Sequence, residues 1–230
     1  MKDFYSHTII KDKVSNIDEI IDFSDRIKTY TECYTAHNNI YEISKKTISK
    51  FNFFENLMLT IKSLIETNFE VSNLIFNKIW FVETEHQNSD MKKLPYKLHF
   101  DQQRFFKAML YLHDVSLDHG PIHFGKIRED IKINVIRKNL PKNYKDLNLN
   151  DIKQIDLVER PKPLIGKKGD LILFDTNEPH HAGLVSPKFK RKVLRFDFEH
   201  NSFNEHLLNK QNYFLKIKHF LKSRLHISSN

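Results

Sequence analysis

The chain has 230 residues, of which 40% are hydrophobic and 12% aromatic, and this composition excludes a disordered protein. It is long enough to bury the core of one globular domain. A single cysteine, Cys33, excludes internal disulfides and is typical of a reducing compartment. The net charge of +8 is spread along the chain rather than gathered in one block, so a nucleic-acid partner is not expected.

The first residues, Met-Lys-Asp-Phe-Tyr-Ser-His, lack the apolar core of a signal peptide. We find no apolar run of the length that a bilayer-spanning helix requires. We therefore expect a cytoplasmic protein with no membrane partner.

Apolar residues at helical spacing predict two helices that cover a sheet. The first runs over about 16–34, with Ser15 as its N-cap, and the second over about 44–67. From about residue 69 the pattern changes to short runs of β-branched and aromatic residues, which are typical of strands. Strands are predicted over 71–76, 78–83, 105–113, 169–174 and 192–198.

A charged stretch over about 126–163 interrupts these strands. It is long for a connection in a compact domain, so we interpret it as a functional lid or a disordered loop. A final helix is predicted over about 203–225. Helices followed by many short strands favour an α+β fold whose sheet closes into a barrel or a sandwich.

One short motif could hold a metal. His99 and Asp101 are two residues apart, and alternate residues of a strand project to the same side. Two histidines with one carboxylate form a facial triad that suits iron(II). The second histidine would be His180 or His181, in what we interpret as a tight turn after Pro179.

A basic strand follows these histidines, with Arg191 and Arg195 on the same side. A buried arginine requires a carboxylate partner, because an unpaired buried charge is very costly. A dicarboxylate cosubstrate would provide that partner. The alternative is that both arginines face solvent.

Three segments together resemble the phytanoyl-CoA dioxygenase-like branch of the Fe(II)/2-oxoglutarate-dependent oxygenases. They are His99-x-Asp101, the run from Phe106 to Pro121, and the final segment of Gly169–Phe174, His180-x-Ala-Gly183 and Arg191. The resemblance covers roughly the second half of the chain. It implies a double-stranded β-helix (a cupin-like jelly roll) with flanking helices.

In that case residues 1–230 form one domain. Residues 1–67 are its helical support, 68–200 its jelly-roll core with a lid at 126–163, and 201–230 its C-terminal helix.

The resemblance also implies cofactors and site residues. Iron(II), 2-oxoglutarate and O2 would react at a centre held by His99, Asp101 and His180, with ascorbate as a reductant in vitro. Arg191 matches the arginine that binds the distal carboxylate of 2-oxoglutarate. No catalytic residue beyond the metal centre is expected. Lys107 would meet a carboxylate of 2-oxoglutarate or of the substrate if it faces inward; otherwise it is a surface lysine.

The predicted activity is hydroxylation (or desaturation) of an unactivated carbon of a small metabolite, with formation of succinate and CO2. The carboxylate at position 101 disfavours halogenation. Basic residues of the 126–168 segment are candidates for binding a phosphate or carboxylate on the substrate: Arg128, Lys132, Arg137 and Lys138. The alternatives are a cupin-like metal enzyme that does not use 2-oxoglutarate and a non-catalytic binding module.

Overall fold

The computed structural model describes most of the first 200 residues: 7–27, 34–37, 40–86, 89, 95–101, 104–128, 133 and 157–200. The predicted C-terminal helix lies outside the described residues. So do 129–132 and 134–156 of the predicted lid, with Lys132, Arg137 and Lys138 among them. None of the described helices is both long enough and apolar enough to cross a membrane.

The described residues form three α-helices, all before residue 69, and ten β-strands, most of them after it. The helices are α1 (Ile17–Asp25), α2 (Lys45–Ile48) and α3 (Asn52–Asn68). The strands are β1 (His7–Ile10), β2 (Tyr34–His37), β3 (Ile40–Ile43), β4 (Ile75–Glu85), β5 (Phe106–Tyr111), β6 (Ile122–Ile127), β7 (Leu157–Pro163), β8 (Leu171–Asp175), β9 (His180–Ala182) and β10 (Lys190–Glu199).

Two antiparallel sheets make up the core. The large sheet has the order β1-β8-β5-β10-β4-β3-β2, and the small sheet has the order β7-β6-β9. Side chains from both sheets meet in one buried cluster, with Tyr111, Phe174 and Val193 from the large sheet and Ile122 and Phe124 from the small one. The predicted α+β class with antiparallel sheets is confirmed.

The other face of the large sheet is covered by the helices. In α3 the buried residues Phe54, Leu57, Ile61 and Ile65 recur every three or four positions and so form one apolar stripe. The phenyl ring of Phe69, at the C-cap of α3, packs on Phe106 of β5 with ring centroids 5.1 Å apart. The outer face of the sheet is therefore apolar where the helices cover it, and the inner face looks toward the small sheet.

The predicted helices are present but shorter than the sequence pattern suggested. Helix α1 ends at Asp25, nine residues before the predicted end, because the Arg26 N–H turns back to the Phe23 carbonyl. Its N-cap is Asn16 and not Ser15. The second predicted helix is two helices, since the chain breaks between α2 and α3 at Phe51, whose backbone is extended.

Three strand predictions need correction. Residues 71–74 are not a strand, because Glu70 and Asn73 adopt positive φ angles of 49° and 58° that no strand allows. The ends of the stretch predicted to be a loop belong to strands, β6 at one end and β7 at the other. The histidine turn after Pro179 is the short strand β9, which pairs with β6. Strands β1, β2 and β3 were not predicted.

Candidate metal centre

Backbone pairing between two distant segments brings the predicted metal ligands together. The His99 N–H donates to the His180 carbonyl at 2.9 Å, and the His180 N–H returns a bond to the His99 carbonyl at 2.7 Å. The Asp101 N–H donates to the Thr176 carbonyl at 3.2 Å and so fixes the segment two residues further on. The two segments therefore face each other like neighbouring strands.

The three side chains converge on one point. Asp101 Oδ1 lies 3.7 Å from His99 Nε2 and 3.7 Å from His180 Nε2. One ligand atom from each residue lies within 4.8 Å of the others, and His99 and His180 are buried. Two imidazole nitrogens and a carboxylate oxygen at this separation form a donor set that fits one divalent ion such as iron(II).

Both imidazoles are oriented by their own backbone. His99 Nδ1 lies 2.7 Å from the Lys97 carbonyl, and His180 Nδ1 lies 2.7 Å from the Glu178 carbonyl. Because a carbonyl can only accept, each Nδ1 must carry the proton, which leaves the lone pair on Nε2 directed at the centre. Such an outer hydrogen bond is the usual device that fixes the tautomer of a metal-binding histidine.

The site holds its ligands in the protonation states that a metal needs. Burial lowers the pKa of His180 to about 3 and also lowers the pKa of His99, so both imidazoles are neutral near pH 7. Burial by itself would raise the pKa of Asp101. The positive charge of Lys107 and the two histidines lower it by more than burial raises it, so the net pKa of Asp101 is well below the usual range. The carboxylate is therefore ionised.

Lys107 faces inward and contacts the centre directly. Its Nζ donates to Asp101 Oδ2, the oxygen on the far side of the carboxyl group from the two imidazoles. Strand β5 places Lys107 there, opposite Phe174 of β8 and Asp197 of β10. Which of the two faces of the strand was the inner one could not be read from the sequence.

The two arginines of β10 differ in their partners. Arg191 is buried, with 6% of its surface exposed, and within the described residues its Nε and Nη1 have no hydrogen-bond partner. Burial lowers its pKa, and the nearby Tyr111 and Tyr96 oppose that shift. Arg195 Nε also makes no hydrogen bond of good geometry, but Arg195 is partly exposed, it forms an ion pair with Asp197 (Nε to Oδ1, 3.0 Å), and its Nη2 donates to Asp197 Oδ2 at 3.1 Å. Of the two arginines, Arg191 is the one that is buried without a carboxylate partner among the described residues.

His181 takes no part in this cluster. It lies opposite His123 in the small sheet, and the two rings stack with centroids 4.5 Å apart. Adjacent strand residues project to opposite faces, so His180 points inward and His181 does not. Of the two histidines, His180 lies in the cluster and His181 lies outside it.

Two glycines of the sequence motifs meet in space. A Cβ added to Gly120 would lie 2.5 Å from the Gly183 carbonyl oxygen, and one added to Gly183 would lie 2.8 Å from the Pro121 carbonyl oxygen. Gly120 also has φ +64°, which L side chains rarely adopt. Both glycines are needed because the backbone after β9 lies in close contact with the backbone of the turn before β6, which leaves no room for a Cβ.

Some interior polar residues carried no signal in the sequence analysis. His7 Nδ1 bonds Glu178 Oε1 at 2.8 Å, and the His7 ring stacks on Phe124 at 4.2 Å. Trp80 Nε1 donates to Asp197 Oδ2 at 3.0 Å. These pairs join residues more than a hundred positions apart, and only the strand register reveals them.

Comparison with protein-family models gives no match for the sequence, and comparison with curated proteins gives none either. The fold does match solved structures. One is the epimerase SnoN in complex with Fe3+, alpha ketoglutarate and nogalamycin RO, with a TM-score of 0.59 and 13% identity over 84% of this chain and 78% of that one. Another is the non-heme alpha ketoglutarate dependent carbocyclase SnoK from nogalamycin biosynthesis, with a TM-score of 0.57 and 14% identity over 84% and 79%.

A third is HygX from Streptomyces hygroscopicus with iron bound, with a TM-score of 0.53 and 12% identity over 84% of this chain and 82% of that one. The chain therefore has the jelly-roll fold of non-haem iron enzymes that use 2-oxoglutarate (alpha ketoglutarate). The predicted fold, with N-terminal helices on an antiparallel core, is confirmed by this likeness.

Proposed function

We propose that the protein is an Fe(II)/2-oxoglutarate-dependent dioxygenase that hydroxylates an unactivated carbon of a small molecule. The observation that carries this proposal is the pairing of a buried His99, Asp101, His180 cluster with a buried arginine that has no carboxylate partner in the described structure. The three-residue cluster fits the metal, and the buried arginine fits a dicarboxylate. Either feature without the other would favour a different class of protein.

The residues of this chain have separate tasks in that reaction. His99, Asp101 and His180 would hold iron(II), with Nε2, Oδ1 and Nε2 as their ligand atoms. Bound iron and 2-oxoglutarate supply the O2-dependent oxidation, with succinate and CO2 as products. Arg191 would bind the distal carboxylate of 2-oxoglutarate as a two-pronged donor. The rings of Phe124 and Phe174, whose centroids lie 6.2 and 5.3 Å from that of His180, would limit the access of water to the centre.

Lys107 has two roles open to it. It contacts Asp101 Oδ2, so it can keep Oδ1 turned toward the metal. Its charge beside the centre would also attract a carboxylate of 2-oxoglutarate, as the family resemblance implies. The first role affects the affinity for iron(II), and the second affects the affinity for 2-oxoglutarate, so measuring both in a Lys107→Met variant separates them.

Which reaction occurs at the substrate carbon is a separate question from the use of iron and 2-oxoglutarate. SnoN is described as an epimerase and SnoK as a carbocyclase, so this fold also serves reactions other than hydroxylation. Hydroxylation puts an oxygen atom from O2 into the product, whereas epimerisation and ring closure do not. Isotope-labelled O2 and mass spectrometry of the product distinguish them.

The direct test is succinate formation from 2-oxoglutarate by protein reconstituted anaerobically with iron(II) and ascorbate and then given oxygen. We expect slow turnover without substrate, lost in His99→Ala and in Arg191→Ala. Metal-dependent turnover that persists in Arg191→Ala would favour a cupin-like enzyme that does not need 2-oxoglutarate in this position. A protein that binds neither iron nor 2-oxoglutarate would be a binding module.

A further inference from the structure

A second polar cluster lies on the inner face of the large sheet, on the neighbouring strands β3, β4 and β10. It consists of Glu42, Lys78, Trp80, Arg195 and Asp197, and we call it the tryptophan cluster. None of these residues belongs to the metal centre or to the arginine that fits 2-oxoglutarate.

The strand register places this cluster beside the metal centre. Asp197 lies directly opposite Lys107 on one side and Lys78 on the other. Directly opposed residues of an antiparallel pair project from the same face, and Lys107 reaches Asp101. The cluster therefore looks into the same space as the metal ligands.

The charges within the cluster are matched. Asp197 Oδ2 accepts from Trp80 Nε1 at 3.0 Å and from Arg195 Nη2 at 3.1 Å. Lys78 Nζ donates to Glu42 Oε2 at 2.9 Å. Two cations and two carboxylates cancel, so the cluster differs from Arg191, whose charge is not matched by any described carboxylate.

The paired groups remain accessible. The side chains of Lys78, Glu42 and Arg195 are 42%, 31% and 28% exposed, and Trp80 is half-buried. Lys78 Nζ and the Arg195 guanidinium carbon lie 5.2 and 5.4 Å from the centre of the indole ring. Asp197 is buried, but the three exposed charged groups can bond a ligand without leaving their partners, beside the indole that both cations contact.

We propose that the tryptophan cluster recognises a neutral, polyhydroxylated substrate, such as a glycoside or a cyclitol, and presents it to the metal centre. A hydroxyl group donates and accepts at once, so it can bridge a carboxylate and an ammonium group. An anionic ligand gains little here, because it would compete with carboxylates already in place. This proposal rests on the proposed function for its substrate role.

The protein carries its own reporter for the test. Trp80 is the only tryptophan of the chain, so tryptophan fluorescence reports this cluster alone. Metal-free full-length protein is titrated with neutral probes (disaccharides, alkyl glycosides and inositol) and with anionic ones (sugar phosphates and an acyl-CoA). We expect a saturable fluorescence change with at least one class of neutral probe. No response to any neutral probe, whatever the anionic probes do, would overturn the proposal.

Two conservative variants tie that response to the cluster. Lys78→Gln removes a charged donor and Glu42→Gln removes a charged acceptor. Each should lower the affinity for the neutral probe roughly tenfold. Lys62→Gln is the matched control, since Lys62 is 37% exposed and also pairs with a glutamate, but on helix α3. Unchanged probe affinity in Lys78→Gln and Glu42→Gln would contradict the proposal. Unfolding midpoints equal to that of the wild type would show that both variants are folded.

The probe titration uses no iron and no 2-oxoglutarate, so its result is independent of the oxygenase chemistry. Probe binding without any metal-dependent succinate formation would leave the recognition site standing and remove the proposed enzyme. Succinate formation without probe binding would do the reverse. Stimulation of succinate formation by the bound neutral probe, lost in Lys78→Gln, would link the two.

Discussion

The surroundings of two buried arginines show how the interior is divided between structure and function. Arg104 and Arg191 have 4% and 6% of their surface exposed. Arg104 donates from Nε and Nη2 to Asp175 at 3.1 and 2.5 Å, whereas Nε and Nη1 of Arg191 have no partner in the described residues. A charge buried with its counter-ion stabilises the fold, whereas under the proposed function the charge of Arg191 is balanced by a ligand that brings the counter-ion.

The largest effect on stability is expected at Arg104. Arg104→Met leaves Asp175, which is fully buried, without its cation, and losing one member of a buried pair costs about 3–5 kcal/mol. Urea unfolding of the metal-free protein measures this change. A loss below about 1 kcal/mol would show that the pair is not structural.

Arg191→Met should give the opposite pattern. It removes a buried charge that has no partner in the described structure, so the metal-free protein should be as stable as the wild type or more stable. The affinity for 2-oxoglutarate in the metal-loaded protein should fall roughly 100-fold, because a charged hydrogen-bonded pair is lost. Destabilisation like that of Arg104→Met would contradict the comparison.

Lys107→Met tests the lysine that contacts Asp101. Outer partners of a metal ligand typically contribute about 10–100-fold to metal affinity. If Lys107 orients Asp101, the variant binds iron(II) more weakly while the KM for 2-oxoglutarate, measured at saturating iron, stays unchanged. A raised KM with normal iron affinity would assign Lys107 to the cosubstrate instead. Lys62→Met serves as the control for loss of an exposed lysine.

The comparison extends to buried groups that the fold keeps neutral. His99 and His180 have pKa values below 6.5, so below that pH the unfolded chain binds protons that the folded chain does not. Because of His180, whose folded-state pKa is about 3, the stability of the metal-free protein should fall as the pH decreases from 6.5 toward 3, by roughly 1 kcal/mol per pH unit, and the lowered pKa of His99 adds to this loss. Unfolding midpoints at several pH values measure this slope, and His180→Gln should make it shallower.

Arg195→Met is expected to have the smallest effect. Arg195 is paired with Asp197 but its side chain is 28% exposed, so solvent weakens the pair and the cost should be below about 1 kcal/mol. The affinity for 2-oxoglutarate should not change. A loss of 2-oxoglutarate binding as large as that of Arg191→Met would reverse the assignment of the two arginines.

The parts of the site that follow from strand alternation could be predicted from the sequence. His99 and Asp101 share a side because they are two residues apart, and the spacing of Arg191 from His180 allowed a return strand. The face of β5 that carries Lys107 could not be predicted, since both faces of that strand are buried. The sequence predicts a turn where β9 lies, because a three-residue strand after a proline leaves no periodic signal.

The tryptophan cluster was invisible for a different reason. Trp80 and Asp197 are 117 residues apart, and only the register of β4 with β10 brings them together. Strand β3 contributes Glu42 from a four-residue segment that lies between two helices in the sequence. Pairing across the sheet is a property of the topology, and the topology followed from the family resemblance rather than from any local pattern.

The central claim is that the metal centre and Arg191 together form one 2-oxoglutarate site. Calorimetric titration of 2-oxoglutarate into anaerobic protein, with and without iron(II), tests it most directly. We predict one-to-one binding that requires iron(II), is abolished in Asp101→Ala, and is weakened roughly 100-fold in Arg191→Met. Binding of equal affinity without the metal, or binding unaffected by both substitutions, would contradict the account.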